Sequence, residues 1–404
     1  MPRRPAFSGL FLRSRPFLQY SRAVKRGPLA TLFIIVFIDL MGFGIVIPLL
    51  PLYGERYHPS ALAMGFLLSA YSAMQFAAAP VLGRLSDRFG RKPVLLVSLA
   101  GSVAGYVLFA FAHSYAVLLA ARVIDGISGG NISTAQAYVA DVTTPETRAK
   151  GMGMIGAAFG LGFIFGPAIA GIAIHWGPWA PGVAAAAMSA LAFVATTIFL
   201  PEPERIRDRA AERGFPALVR ALKNPRVAAI LGIFFLITFA FSNFEATFAQ
   251  FLHDVFGASP SRVAFFFVYV GVLIALVQGG LIGRLTRAFG EKALVAAGAL
   301  AVAVALAALP FSPAMTVVMI ALVPLTVGIG ATNPALSSLV SKESSPENRG
   351  TVLGAFQSVS SLGRILGPLC GEVAYFRLGK FGPHWTGAAV AAAAGLLSLL
   401  LTKR

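Results

Sequence analysis

Five ionisable side chains, Asp39, Arg122, Asp125, Glu245 and Arg364, lie within stretches of sequence that are otherwise almost wholly apolar. An ionised side chain at mid-bilayer costs about 2.5 to 3.5 kcal/mol on insertion scales, so one that persists faces a cavity or a partner. The chemistry open to such a group is reversible proton binding. Burial favours the neutral form of a carboxyl, a nearby cation favours the ionised form, and an arriving solute tips the balance. Asp39 is the expected proton carrier, with Arg122 as its conformational or electrostatic partner. Asp125 is a weaker member, and Glu245 is a second proton site or an anchor for a cationic solute. Arg364 neutralises an acid or binds an anionic group. The alternatives are a fixed hydrogen bond at Asp39, a static i, i+3 pair between Arg122 and Asp125, a satisfied polar residue near the outer end of its span at Glu245, and a snorkelling or paired Arg364. Arg122, Asp125, Gly126, Gly129, Ser133 and Gln136 fall at offsets 0, 3, 4, 7, 11 and 14, one face of one helix. Gln136, Asn243, Asn333 and Gln357, with Asp39, Glu245 and Arg364, are the candidate substrate contacts.

The elements that hold these groups follow from composition. The 404 residues are 57% hydrophobic and 12% charged, with a mean hydropathy of +0.78. The apolar runs are too long for barrel strands and show no alternation, so helices must satisfy the backbone in lipid. Twelve spans are expected, near 29–51, 63–83, 93–113, 115–140, 151–174, 179–200, 226–251, 263–283, 292–312, 314–340, 350–374 and 383–401. The fold class is an all-α integral membrane protein. With both termini cytoplasmic, 27 of the 33 Lys and Arg fall on inner segments and only Arg56, Arg262, Arg377 and Lys380 on outer ones. The net charge of +17 thus reports orientation and excludes a nucleic-acid partner. All three Trp and all five His fall near outer ends. Cys370 is alone, so neither a disulfide framework nor a thiol metal site is available. No Walker-type loop, metal-ligand cluster or convergent nucleophile and base occurs, so neither an enzyme nor a cofactor is expected.

The chain repeats itself. GRLSDRFGRK at 83–92 aligns with GRLTRAFGEK at 283–292, and TTPETRAKGMG at 143–153 with SSPENRGTVLG at 344–354. A six-helix unit is therefore used twice: a tail over 1–28, one bundle over 29–200, a charged linker over 201–225 and a second bundle over 226–404. In the second loop Arg287 replaces Asp87 and Glu291 replaces Arg91, so the copy is expected to keep mainly the topology-setting role.

Gly83, Asp87, Arg88, Gly90, Arg91 and Lys92 fill G-x-x-x-D-R-x-G-R-K, the loop between spans two and three of the major facilitator superfamily. Arg122 and Gly126 match R-x-x-x-G, and Gly162, Gly166, Pro167 and Gly171 match G-x-x-x-G-P-x-x-G-G, with Ala170 in place of one glycine. The chain resembles the twelve-span drug:proton antiporters of that superfamily, and DLMGFGIVIPLLP in span one is similar to tetracycline exporters. The charge those exporters carry in span nine has no counterpart here, which points away from tetracycline itself. The resemblance implies two pseudo-symmetric six-helix bundles rocking about a midplane site. Protons would drive export of small amphipathic compounds by a monomer in a bacterial plasma membrane. A proton-linked carrier of one metabolite is the alternative. It further implies that Asp87, with Asp141 nearby, latches the halves together at the inner face, and that Gly162, Gly166 and Pro167 let span five slide and bend.

Overall fold

The computed structural model describes residues 26–143, 145–203, 219, 222–344 and 349–402. The tail over 1–25 and most of the 201–225 linker lie outside the described residues. The first half contains α1 (Arg26–Val46), α2 (Leu50–Glu55), α3 (Ala61–Phe89), α4 (Arg91–Ala110), α5 (Tyr115–Gly129), α6 (Asn131–Val142), α7 (Pro145–Ala173) and α8 (Ala180–Phe199). The second contains α9 (Pro225–Phe256), α10 (Pro260–Leu276), α11 (Ile282–Phe289), α12 (Glu291–Ala308), α13 (Met315–Lys342), α14 (Arg349–Leu378) and α15 (Gly382–Thr402). Nine helices among the described residues are long and apolar enough to cross a membrane. Together with α5–α6 (one span interrupted at Gly130), α14 and α15, they give the twelve expected spans. The end at which α1 starts and α15 finishes is called inner below, and the opposite end outer.

Lipid replaces water as the solvent of the lateral surface. Val97, Ile320 and Leu396 are 71%, 69% and 70% exposed, which suits hydrocarbon and would be a liability in water. Each half has its own apolar interior. That of the second is built on α9, α10, α12, α13 and α14, with Phe234, Phe244, Phe248 and Phe251 buried in it. The phenylalanine crowding of span seven is therefore largely core packing rather than pocket lining.

Small residues set the closest approaches. A Cβ on Gly166 would lie 2.6 Å from the Gly44 backbone, so α7 and α1 touch main chain to main chain beside Asp39. Gly156 and Gly160 of the same helix meet nothing within 4 Å, so its close approach to α1 runs through Gly162 and Gly166. Pro167 stands inside α7 without ending it.

Between the halves, close contacts gather from the middle toward the outer end. Ser69 Oγ donates to the Ile365 carbonyl at 2.7 Å, and Ser261 Oγ donates to the Gly171 carbonyl at 3.1 Å. Short helix α2 lies against α9. At the inner end the Asp87 side chain is 53% exposed. The halves meet at the outer end in this arrangement.

Candidate functional site

Asp39 sits on α1 where α6 and α8 converge. Its carboxylate accepts from Asn131 Nδ2 at 3.1 Å and from Ser189 Oγ at 3.0 Å. Both donors are neutral, and the buried Asn131 Oδ1 has no partner among the described residues. The expected ion pair with Arg122 is not formed. Arg122 instead bonds Asp125 Oδ2 at 2.8 Å, with side-chain exposures of 4% and 3%. Two residues three apart on one helix share a face, so this pairing needs no tertiary adjustment. It corrects the partnership read from sequence.

The sequence explains the placing of Arg122. A Cβ at Gly126 would come within 2.6 Å of the Tyr71 carbonyl oxygen, so the glycine lets α3 press onto α5. The Tyr71 ring then lies 4.9 Å from the guanidinium carbon of Arg122, a cation–π contact in a desolvated place. Gln75 donates to Tyr71 Oη at 3.2 Å and to the Gly129 carbonyl at 3.0 Å, tying α3 to the break between α5 and α6. Tyr106 reaches Asp125 from α4. Arg122 Nε is buried and has no partner among the described residues.

The second half contributes Glu245 on α9 and Arg364 on α14, which lie within electrostatic range of each other. Arg364 donates to Ser360 Oγ at 3.1 Å. Tyr71 stands between the two sets and feels Asp39, Asp125, Arg122 and Arg364. All five intramembrane charges thus surround one central region spanning both halves. Not every other candidate joins them. Asn243 is fully buried, bonds Thr386 Oγ1 at 3.1 Å and packs on Gly371; it is a seam residue among α9, α14 and α15, contrary to its expected place in the substrate site. Gln136 and Asn333 are half-buried, and Gln357 is exposed one helical face from Ser361 and Arg364. Beside the region, a groove of about 550 Å³ between α3, α5 and α14 is lined by Phe66, Met74, Val123 and Leu369, among others.

At the inner end Asp87 Oδ1 accepts from Arg91 Nη1 at 2.5 Å, and Arg91 Nε donates to Asp141 Oδ2 at 2.7 Å. All three belong to the first half, so the Asp87 latch to the other half is not engaged here. Gly83 lies one turn before Asp87 on α3, and Arg88 stacks at 5.2 Å on Phe89. Glu202, which the sequence reading passed over, accepts from the backbone N–H of Arg91 and of Lys92 at 2.6 and 2.8 Å. It places a negative charge on the N-terminus of α4, while Lys92 Nζ reaches the Thr197 carbonyl near the end of α8. Gly90 turns the chain with φ +113°, a conformation restricted to glycine.

Gly90→Ala is expected to destabilise the protein by about 1 to 3 kcal/mol through backbone strain, and its Cβ would also lie 2.8 Å from Glu202 Oε1. Gly290 has φ +76° but meets nothing within 4 Å. Thermal unfolding in detergent should therefore show a larger fall in Tm for Gly90→Ala than for Gly290→Ala; equal falls would assign the whole effect to φ.

The second loop is not merely a worn copy. Glu291 accepts from Lys342 Nζ at 2.7 Å and from Ser338 Oγ at 2.5 Å. Glu291 is the counterpart of Arg91, and Lys342 that of Asp141. The pair within the half is kept with its signs exchanged.

Known proteins with this architecture agree with the geometry. The family model described as Major Facilitator Superfamily matches residues 32–368. Mouse Major facilitator superfamily domain-containing protein 10 is 31% identical over 90% of this chain and 91% of its own length. The class D tetracycline resistance protein of Salmonella ordonez is 34% identical over 85% of this chain and 88% of its own. Among solved structures, the human organic anion transporter MFSD10 superposes with a TM-score of 0.71 at 27% identity, over 92% of this chain and 99% of that one. A bacterial homolog of the human lysosomal transporter Spinster reaches 0.80 at 17% identity, over 93% and 96%, and shares the fold. A repeated six-helix unit, the charged loop between its second and third spans, and a family match running through both halves make this chain a member of the major facilitator superfamily, a multi-pass membrane transporter of small molecules.

Proposed function

We propose that the protein exports small amphipathic compounds in exchange for protons, its two halves alternately exposing the central region to either side, as a monomer in a bacterial plasma membrane with both termini cytoplasmic. The observation that carries this is the setting of Asp39. A carboxylate held only by Asn131 and Ser189 keeps its hydrogen bonds in either protonation state. A hydroxyl reverses its bond, and the idle Asn131 Oδ1 accepts from a protonated acid. Gain or loss of a proton there strands no buried cation, which could not be said of Asp125 beside Arg122. The tetracycline resistance relatives support the export direction.

A second reading is favoured by Arg364, a cation in the second half of the central region with Ser360 as its hydrogen-bond partner. It offers a planar fork of donors suited to a carboxylate, and the human relative is described as an organic anion transporter. Reconstitution into proteoliposomes under an imposed pH gradient separates the two. Amphipathic cations and neutral compounds of several kinds should move against their gradients when protons run down theirs. Movement confined to organic anions would establish the second reading, and flux indifferent to the gradient would end the antiport proposal.

A further inference from the structure

We propose that Glu55, Gln250 and Glu372 form a binding site for a proton taken from the outer aqueous phase, and that its occupancy holds the outer gate shut. This inference rests on the alternating-access reading above, but it concerns a proton that is never carried across.

The three residues join the halves where they meet at the outer end. Glu55 ends α2 in the first half; Gln250 lies on α9 and Glu372 on α14 in the second. The Gln250 side chain lies within interaction range of both Glu55 and Glu372. Carboxylates only accept, so an amide placed between two ionised acids can offer one N–H to each. Gln250 and Glu372 are each 4% exposed. Two oxygens in this cluster, Gln250 Oε1 and Glu372 Oε1, are buried without a hydrogen-bond partner among the described residues. Left so, each forfeits the hydrogen bonds it would make in water. One proton resolves both. An O–H formed at Glu372 Oε1 donates to Gln250 Oε1, while the amide donates back to the other carboxyl oxygen, giving a closed acid–amide pair.

Among the described residues, the cations on these elements stand exposed or engaged elsewhere, and only His253 acts on Glu55. Of the charged groups on the elements packed here, Asp254 on α9 accepts from Tyr375 of α14 at 2.6 Å and adds negative charge near Glu55. His253 is exposed, with Nδ1 engaged at the Ala258 carbonyl. Arg56 lies over the Tyr53 ring, Lys380 over the Phe381 ring, and Arg377 is exposed. His384 of α15 is buried against Phe251. Burial, with Asp254 adding to it, pushes the Glu55 carboxyl above its ordinary range, against the lowering effects of Gln250 and His253.

The sign follows from linkage. An acid that binds its proton more tightly in the closed gate than in the hydrated, open one favours closure as pH falls. The closed-to-open ratio then changes by up to about tenfold per pH unit per linked proton. The proton enters from outside before closure and leaves to the outside on reopening. An acidic exterior therefore resets the transporter toward its inner-open state.

The test is a distance measurement between the halves on the full chain, in lipid nanodiscs without gradient or substrate. Nitroxide labels are placed at the exposed outer positions His113 and Ala314 in a Cys370→Ser background. In the parent the outer-closed population should dominate at pH 5 and fall toward pH 8. Glu372→Gln, which keeps an amide where the protonated acid stood, should stay closed at both; a parent-like pH response in this variant, or a parent with no response, overturns the proposal. Should Glu372→Gln fail to fold, Glu372→Asp draws the acid back from Gln250, and its midpoint should move to lower pH. An unmoved midpoint counts against the site. Because no flux is read, failure of proton antiport at Asp39 leaves this result standing, and the reverse.

Discussion

Asp39→Asn is expected to abolish uphill transport while sparing exchange of substrate for substrate. Asparagine presents nearly the same shape to Asn131 and Ser189, so the helix junction survives, but it cannot take up a proton. One charge moved through 100 mV supplies about 2.3 kcal/mol, enough for a concentration ratio of about 50. In proteoliposomes under a gradient of that size, the parent should approach this ratio for one proton per cycle and the variant should settle near one. Counterflow, which needs only the loaded carrier to change sides, should persist. Asp39→Glu keeps the acid and should recover part of the coupling. Uphill accumulation by Asp39→Asn would assign the carboxyl a fixed structural bond and move the search to Glu245. Loss of counterflow together with coupling would show that the substitution disturbed the α1–α6–α8 junction instead.

The fold was legible because hydropathy and the repeated loop are local signals. A run of apolar residues is a span wherever it lies, and six identities in ten residues betray a copied unit. The central charges were legible for a similar reason, since an ionisable residue among apolar ones stands out by its cost. Their partners were not. Asn131, Ser189 and Tyr71 are ordinary residues for a membrane helix, and only the packing of α6, α8 and α3 gives them meaning. Glu202 is one acid in a charged stretch until the α4 N-terminus comes to rest on it. Lys342 escaped because identity matching rewards sameness, and a pair conserved with exchanged signs looks like decay. Comparing charge products across the repeat, rather than residues, would have found it. Glu372 was an acid inside a predicted span and met the criterion applied to Glu245. Near the end of its span it reads as a surface group, whereas the structure buries it.

Arg122→Leu is expected to be the most destabilising single change at the central site. It leaves Asp125 buried at 2% exposure with its cation gone, a loss of about 3 to 5 kcal/mol for a broken buried pair, and it removes the stacking on Tyr71. Asp125→Leu should fail in the same way by stranding the guanidinium. The double variant removes both charges together and should recover most of the stability, since well-packed apolar side chains often replace a buried pair without loss. Unfolding midpoints in one detergent, read as a double-mutant cycle, give the coupling directly; additive losses would mean that the 2.8 Å contact carries no energy of its own. The transport activity of the double variant then decides what the pair is for. If it folds and still exchanges substrate, Arg122 and Asp125 are a neutral strut that sets the α3–α5 contact. If it folds and neither exchanges nor accumulates, the pair must open during the cycle. The natural occasion is loss of a proton by Asp39, whose field already reaches Asp125 and Tyr71: a new negative charge on α1 competes for the guanidinium, and Arg122 need only turn its unpartnered Nε edge to answer it.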